Sequence, residues 1–338
     1  MKKQEQKSRQ YIVFDLEWNQ SASGKKDSVE NIPFEVIEIG AVKLDKDLNP
    51  IGEFSRFVRP EVYRRLHYKV FEIIHIGMEE LKQRGEPFPK VIRDFLDWCE
   101  TAENGKKETP VFCTWGNMDL TELQRNMAYH KVLSPFPYPL LYYDVQKLFS
   151  LLYEKDSKDK YPLDSAVDFL KIPQDRPFHR AIDDAYYTGC IMKKINFNAV
   201  REYLSMDYYR LPKDKEEEIY LIFPNYSKYI SREFETKEEA IADKTVTDMI
   251  CYRCNRSLRK KIRWFSANQK NYYCLAICPE HGPVRGKIRM KHTADGRTCA
   301  IKTIKLIGED GVQKMEMKKA ETVQKRRLRN RVKHTREM

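Results

Sequence analysis

The segment Tyr11–Trp18, with the sequence YIVFDLEW, constrains the fold of this chain most strongly. Its run of apolar, aromatic and β-branched residues is typical of a buried strand. Asp15 and Glu17 lie two residues apart in this strand, so their side chains leave the same face of a sheet. Adjacent carboxylates repel each other unless cations neutralise them, and hard oxygen ligands suit Mg²⁺ or Mn²⁺. The pattern therefore indicates a divalent metal site, with an ordinary surface strand edge as the alternative.

Hydrophobic periodicity in the first 200 residues predicts an α/β domain. Phe34–Leu44 and Glu53–Pro60 favour strands that follow the first one in a meander, and Pro110–Thr114 favours a further short strand. Apolar residues near a 3.6-residue spacing predict helices. These helices are expected at Lys90–Glu100, Leu120–His130, Asp144–Leu152, Ser165–Leu170 and Ala181–Ile195. The fold class is therefore α/β, a sheet flanked by helices.

Two further acids stand at the starts of predicted helices. Asp119 follows the strand and turn sequence FCTWGNM, and Asp184 lies in HRAIDDA, five residues after His179. An Asp at such a position often caps a helix, so each acid taken singly also has a purely structural interpretation. The ordered set of four carboxylates is more specific, because several acids can hold two metal ions for phosphodiester hydrolysis.

Three short motifs make the chain resemble the DEDDh 3′-to-5′ exonucleases. They are FDLE at Phe14–Glu17, the lone Asp119 after a strand, and HRAIDDA from His179. The flanking sequences VIEIGAV, HIGMEEL and YPLDSAVDFLKI agree, and the resemblance covers about residues 11–198. It implies an RNase H-like fold with a mixed five-stranded sheet, and hydrolysis from the 3′ end that releases nucleoside 5′-monophosphates. The segment FCTWGNMDL resembles most the corresponding motif of the exoribonucleases that trim the ends of small RNA and histone messages.

The resemblance also implies roles for individual residues. The implied ligands of two Mg²⁺ or Mn²⁺ ions are Asp15, Glu17, Asp119 and Asp184. Asp183 is the alternative to Asp184. His179 would be the general base that deprotonates the attacking water, because imidazole takes up a proton near neutral pH. Trp18 is a candidate for stacking on the 3′-terminal nucleotide or an ordinary packed side chain, and Asn19 is a weaker candidate for binding the terminal sugar.

A second set of metal ligands occurs late in the chain. Cys251 and Cys254, followed by Cys278 and His281, form the pattern C-x₂-C-x₂₃-C-x₂-H, which resembles a zinc ribbon. Zinc prefers four sulfur or nitrogen ligands in a tetrahedron, and paired knuckles deliver two each. We therefore predict a structural Zn²⁺ site, with Cys274 as the alternative third ligand.

Charge divides the chain into two unlike parts. The whole chain has 62 Lys and Arg against 50 Asp and Glu, a net charge of +12. From Met249 onward there are 24 basic and 7 acidic residues, so this part carries +17 and the preceding part −5. Its basic residues interleave with aromatic ones, which favours a nucleic acid partner over a basic protein-docking surface. The expected partner is single-stranded or 3′-overhang nucleic acid, RNA rather than DNA.

Composition excludes several other classes of protein. At 41% hydrophobic residues the chain is too apolar for a disordered protein, and no run approaches the roughly 18 apolar residues of a membrane span. The charged start lacks a secretory signal, so a cytoplasmic chain is expected.

The alternative function is a non-catalytic RNA-binding or ribosome-associated adaptor. The expected domains are a tail at 1–10, an exonuclease domain at 11–200, a connector at 201–247, a small, β-rich, zinc-ribbon-like basic domain at 248–308 and a basic tail at 309–338.

Overall fold

The computed structural model describes most of the chain as two compact units. The described residues are 10–102, 105–153, 161–268, 270–293 and 295–336. The first unit is Met1–Tyr209 and the second is Arg210–Met338. The predicted charged tail at 1–10 lies outside the described residues apart from Gln10. Within these ranges, no helix combines the length and apolarity that crossing a bilayer requires.

A six-stranded mixed sheet forms the centre of the first unit, in the order β3-β2-β1-β4-β5-β6. Its strands are β1 (Tyr11–Asn19), β2 (Glu35–Leu44), β3 (Pro50–Phe57), β4 (Val111–Thr114), β5 (Leu141–Asp144) and β6 (Ser205–Met206). The antiparallel pairing of β1 with β2 and of β2 with β3 confirms the predicted meander, while β4 pairs parallel to β1 and to β5. Five strands were expected, and the two-residue β6 adds a sixth beside β5.

Helices cover this sheet and complete the predicted α/β fold. They are α1 (Tyr68–Ile74), α2 (Met78–Arg84), α3 (Phe88–Glu100), α4 (Met118–Tyr129), α5 (Val145–Tyr153), α6 (Leu163–Phe169), α7 (Ala181–Lys194) and α8 (Phe197–Val200). The five predicted helices correspond to α3 through α7, within two residues at each end. The sequence does not predict α1 and α2, because seven-residue helices are too short for a clear period.

The strand β1 contributes to a hydrophobic core on each of its faces. Phe14 packs with Phe95 of α3 in one core, and Val13 belongs with Tyr187 of α7 to the other. Because side chains alternate along a strand, Asp15 shares the face of Val13. This alternation directs the acids of β1 toward the side of the sheet that α7 covers.

The second unit contains a six-stranded antiparallel sheet in the order β7-β8-β12-β11-β10-β9. Its strands are β7 (Ile219–Ile222), β8 (Tyr226–Phe234), β9 (Arg259–Ser266), β10 (Asn271–Cys278), β11 (Gly282–His292) and β12 (Thr298–Leu306). Its helices are α9 (Lys237–Ala242), α10 (Lys244–Thr247) and α11 (Glu309–Arg336). The expected second, β-rich part of the chain is thus a full sheet with a long terminal helix.

The segment assigned to a connector, residues 201–247, is divided between the units, with residues 201–209 in the first and residues 210–247 in the second. From residue 210 onward it contains β7, β8, α9 and α10, and β8 pairs with β12 over most of its length. Charged residues such as Lys228 and Arg232 interrupt the apolar pattern of β8, so periodicity does not reveal this strand. The zinc-ribbon-like segment at 248–308 therefore does not contain its whole sheet.

Candidate functional site

Three acids from two elements lie together in the first unit. Asp15 and Glu17 of β1 and Asp184 in the first turn of α7 place carboxylate oxygens within 4.8 Å of one another. The two β1 acids share a face because they are two residues apart, and α7 covers that face. The structure therefore brings together three of the four carboxylates that the sequence predicts as magnesium or manganese ligands.

A glycine allows α7 to come this close to the sheet. Gly40 of β2 is the cross-strand partner of Asp15. A Cβ atom at this position would lie 2.0 Å from the backbone N of Ile182 and 2.1 Å from the carbonyl carbon of Ala181. No side chain fits in that space, so the start of α7 packs directly on the backbone of β2. This close approach sets the position of Asp184 relative to β1.

The fourth predicted acid, Asp119, adjoins the three without being one of the mutually close group. It lies in the first turn of α4, which follows β4, the parallel neighbour of β1. Its Oδ1 accepts a hydrogen bond of 3.3 Å from the backbone N–H of Leu16. Its negative charge contributes to raising the pKa of Asp15. The acid is thus fixed beside the strand that carries the first two.

Burial, and then repulsion among the carboxylates, raises the pKa of every acid in this cluster. Burial and the charges of Asp184 and Glu38 raise the pKa of Glu17 to about 8. Burial is also the main cause that raises the pKa of Asp184 to about 7 and that of Asp119 to about 7. The pKa of Asp15 lies well above its usual range for the same reasons. Divalent cations bind such oxygen clusters by offsetting this repulsion, so the residues present fit Mg²⁺ or Mn²⁺.

His179 lies in the loop before α7, as the sequence predicts. Its backbone adopts a left-handed conformation with φ of 66°, which is uncommon for a residue with a side chain. Its backbone N–H donates a hydrogen bond of 3.3 Å to Oδ1 of Asp184, and its side chain is exposed. Asp183, the alternative ligand, lies 3.7 Å from Arg176 instead and is outside the acid cluster.

An ion pair that the sequence does not predict lies behind the acids. Arg180 donates two hydrogen bonds, of 3.0 and 2.8 Å, to the carboxylate of Glu38, which is only 2% exposed. Glu38 is the cross-strand partner of Glu17, and Arg180 follows His179 directly in the chain. The pair therefore ties the loop of His179 to the sheet. The feature of the sequence that could have revealed this pair is Glu38 itself, an acid inside the otherwise apolar strand VIEIGAV.

The structure uses Asn19 for a purpose other than the predicted sugar contact. Its side chain is fully buried, donates to the carbonyl of Arg65 at 3.0 Å and accepts from the N–H of His67 at 3.0 Å. Since His67 caps α1, Asn19 fixes the chain that enters this helix. Trp18 is half-buried and packs on Phe34 with ring centroids 5.8 Å apart. A nucleotide contact by Trp18 stays a prediction.

A second candidate metal site lies in the second unit. The four predicted zinc ligands lie within 4.8 Å of one another, and they are Cys251, Cys254, Cys278 and His281. Nδ1 of His281 is 3.7 Å from Sγ of Cys251 and 3.6 Å from Sγ of Cys278. A tetrahedron with metal–ligand distances of about 2.3 Å has edges of about 3.8 Å, so these separations fit Zn²⁺. Cys274 is fully buried in the sheet core and lies outside the group.

An acid cluster between a mixed sheet and one helix is an arrangement that can hold divalent cations, and such ions promote phosphodiester hydrolysis. The model of the family Exonuclease (RNase_T) matches residues 12–192, which is more than half of the chain. The chain therefore belongs to this family. A solved structure of exonuclease I has the same fold, with a TM-score of 0.50, 12% identity and coverage of 83% of this chain and 55% of that one.

Two curated proteins are similar to part of the chain. Probable 3′-5′ exonuclease KapD of Bacillus subtilis is 28% identical over 127 residues, which are 38% of this chain and 56% of that protein. Human 3′-5′ exoribonuclease 1 is 24% identical over 152 residues, which are 45% of this chain and 43% of that protein. The chain spans about half the length of these curated relatives.

Proposed function

We propose that this protein is a metal-dependent 3′-to-5′ exonuclease that hydrolyses phosphodiester bonds at the 3′ end of nucleic acid and releases nucleoside 5′-monophosphates. The observation that carries this proposal is the convergence of Asp15, Glu17 and Asp184, with Asp119 beside them, in a chain of the Exonuclease family. The name of the Bacillus subtilis relative supports the same direction of hydrolysis.

The four acids would hold two Mg²⁺ or Mn²⁺ ions. When bound, such ions make water a better nucleophile and stabilise the leaving oxygen of a phosphodiester. The chain itself supplies the arrangement: β1 presents Asp15 and Glu17, and α7 presents Asp184 against them across Gly40. A site built on strands and helices of the core keeps its ligands in place before substrate arrives.

His179 would accept the proton of the attacking water. Its imidazole is exposed, so substrate and solvent can reach it. Its backbone N–H is bonded to Asp184, and its neighbour Arg180 is bonded to Glu38, so the loop is held on both sides of the proposed base. A base needs this kind of fixed position within reach of the proton that it removes.

We propose RNA with a single-stranded 3′ end as the preferred substrate. The human relative is named an exoribonuclease, and this supports RNA for the present chain. The helix α1, whose entry is fixed by Asn19, exposes Tyr68 and Phe71, and aromatic side chains can stack on unpaired bases. Stacking of this kind does not depend on base identity, so little sequence preference is expected.

Matched RNA and DNA oligonucleotides, labelled at either end and incubated with the protein and Mg²⁺, test this function. We expect 5′-labelled RNA to shorten stepwise and 3′-labelled RNA to release a labelled mononucleotide at once. Asp15→Asn and His179→Ala should each abolish most of this activity. Binding without any mononucleotide would contradict the proposal and favour the adaptor. Unchanged activity in either variant would contradict the assigned roles, and faster loss of DNA would contradict the preference for RNA.

A further inference from the structure

One face of the second sheet carries a row of cations in the middle of the sheet. Along β11, Val284, Ile288 and Met290 are buried, while Arg285 and Lys287 alternate with them on the opposite face. Arg289 continues this row, and Lys305 of β12 lies directly opposite Arg285. We call this set, consisting of Arg285, Lys287, Arg289 and Lys305, the cationic ladder.

The ladder has no internal neutralisation. Within the described ranges, none of its four side chains forms a hydrogen bond or an ion pair. Like charges directly opposite each other in a sheet are destabilising, so the Arg285 and Lys305 pair weakens the fold by itself. Some arginines of the same unit are paired, Arg256 with Glu280 and Arg297 with Glu233 and Asp295. The ladder is distinguished by its arrangement, because its cations form one row on an inner strand with Lys305 directly opposite Arg285.

Further cations lie on the same face at both sides of the ladder. Lys228 of β8 is the cross-strand partner of Thr303, which in turn pairs with Lys287. Burial and the neighbouring charge of Arg289 lower the pKa of Lys228 to about 8. On the other side, Lys318 of α11 lies 4.4 Å from the ring centre of Tyr273, the partner of Lys287 on β10. The cationic face thus extends from β8 to α11.

The spacing of these cations suits an extended chain of negative charges. Alternate residues of a strand are about 7 Å apart, so the three β11 cations span about 14 Å along one line. A single phosphate would occupy only one of these positions. Nucleic acid carries one phosphate per nucleotide, and neutralising several of them at once is the main source of sequence-independent affinity.

We propose that the cationic ladder binds the phosphate backbone of nucleic acid without reading base sequence. This inference deepens the proposed function, because it assumes that nucleic acid is what the protein acts on and assigns a separate holding surface for it. The phosphates of the nucleic acid would neutralise these cations. Because repulsion among the cations is then relieved, the ladder would lower the stability of the free protein and not that of the complex.

Fluorescence anisotropy with labelled oligouridine, measured over a series of salt concentrations, tests the ladder. The 338-residue chain carries Asp15→Asn so that the probe is not cut, and no chelator is added, so that any metal held by Cys251, Cys254, Cys278 and His281 is retained. The ladder variant combines Arg285→Gln, Lys287→Gln and Arg289→Gln. The control variant combines Arg210→Gln, Arg256→Gln and Arg297→Gln, three exposed or half-exposed arginines that are paired with acids. Both variants lose the same net charge.

We expect the ladder variant to bind oligouridine about tenfold more weakly or worse, with a salt slope smaller by about two, as three lost contacts to a single strand imply. The control should keep its affinity within about twofold. Equal losses in both variants would show an effect of net charge alone and overturn the proposal, as would full binding by the ladder variant. An equally tight, ladder-dependent complex with polyglutamate would overturn it in favour of an acidic protein partner.

Two further measurements keep the outcomes separate. The melting temperature and zinc content of the ladder variant should equal or exceed those of its parent, since like-charge repulsion is removed. If either value falls, the triple variant is replaced by the single variant Arg289→Gln, because Arg289 is exposed and its loss should not disturb the fold. The proposal then requires that this single variant bind oligouridine more weakly than its parent. If the chain with native Asp15 releases no mononucleotide, the proposed function fails while the binding result still decides the ladder.

Discussion

At the scale of single residues, the acid cluster makes the free energy of unfolding depend on pH. The pKa of Glu17 lies at about 8 and that of Asp184 at about 7 in the folded chain, above their usual ranges, because of burial and mutual repulsion. The folded state therefore binds more protons than the unfolded state between roughly pH 4 and pH 8. Stability follows the sign of this difference, so it decreases as pH rises through that window.

The melting temperature of the zinc-loaded, magnesium-free protein should fall between about pH 5 and about pH 8, and Mg²⁺ or Mn²⁺ should restore it most at the higher pH. Asp184→Asn should flatten this dependence because it removes one of the repelling carboxylates. The matched change Asp168→Asn, at an exposed position of α6, should not. Differential scanning calorimetry gives the values, and a slope of opposite sign would rule out the protonated cluster.

The Arg180 and Glu38 pair gives a second prediction at this scale. Arg180→Lys keeps the charge but cannot form both hydrogen bonds to Glu38, so the loop of His179 should lose its fixed position. We expect kcat to fall about tenfold or more with a smaller change in KM, since a displaced base affects chemistry more than binding. This result would make Arg180 a positioning residue for the proposed base.

Arg176→Lys is the matched control for this change, because Arg176 lies in the same loop and pairs with Glu53 at the surface. Steady-state kinetics on a short RNA should show little effect of this control. Equal losses of kcat in both variants, or a loss in KM alone for Arg180→Lys, would contradict a positioning role.

At the scale of elements, the contact between β2 and the start of α7 builds the site. A Cβ at Gly40 would have to displace backbone atoms of Ala181 and Ile182, which no side-chain movement can relieve. A shift of α7 would carry Asp184 away from Asp15 and Glu17. A β-bulge also lies beside the acids, because the pairing of β1 with β2 changes register between Glu17 and Trp18. Bulges are common next to active sites.

Gly40→Ala should therefore destabilise the protein by about 3 kcal/mol and reduce activity even where the protein is folded. Gly77→Ala is the control, since a Cβ there meets no atom within 4 Å and φ is −82°. Urea unfolding and exonuclease assays report the two effects. Wild-type stability and activity of Gly40→Ala would contradict the close packing of α7 on β2.

At the scale of the whole molecule, the two units differ in what stabilises them. The first has two large hydrophobic cores on its sheet. The second packs Cys251 and Cys278 into one of its own smaller cores, so its candidate zinc ligands are also part of that core. Metal bound by these cysteines should therefore contribute much of the folding free energy of the second unit and none of that of the first.

Cys278→Ser should lower bound zinc and the stability of the second unit, while hydrolysis of a dinucleotide by the first unit stays largely intact. Cys274→Ala should keep its zinc, although it opens a small cavity, because Cys274 lies outside the ligand group. Elemental analysis and thermal unfolding give both answers. Retained zinc in Cys278→Ser together with lost zinc in Cys274→Ala would reverse the ligand assignment.

The distance along the chain between interacting residues decides how much of the fold and of the site could be predicted from the sequence. Alternation along β1 predicts that Asp15 and Glu17 share a face, and knuckle spacing predicts four zinc ligands that the structure brings together. The helices α3 to α7 were predicted closely because their periods are clear. In contrast, β8 was missed because pairing with β12, rather than its own pattern, makes it a strand.

By itself, the sequence determined the candidate acids, the loop position of His179, the candidate zinc ligands and the division of charge, since each depends on residue type and short spacing. Only the tertiary structure decided that Asn19 is buried as a support for α1, that Arg180 reaches Glu38, and that Arg285, Lys287 and Arg289 form one row without ion pairs among the described residues. Arg180 and Glu38 are 142 residues apart in the chain. Contacts over such distances depend on how sheets and helices pack, which no local pattern encodes.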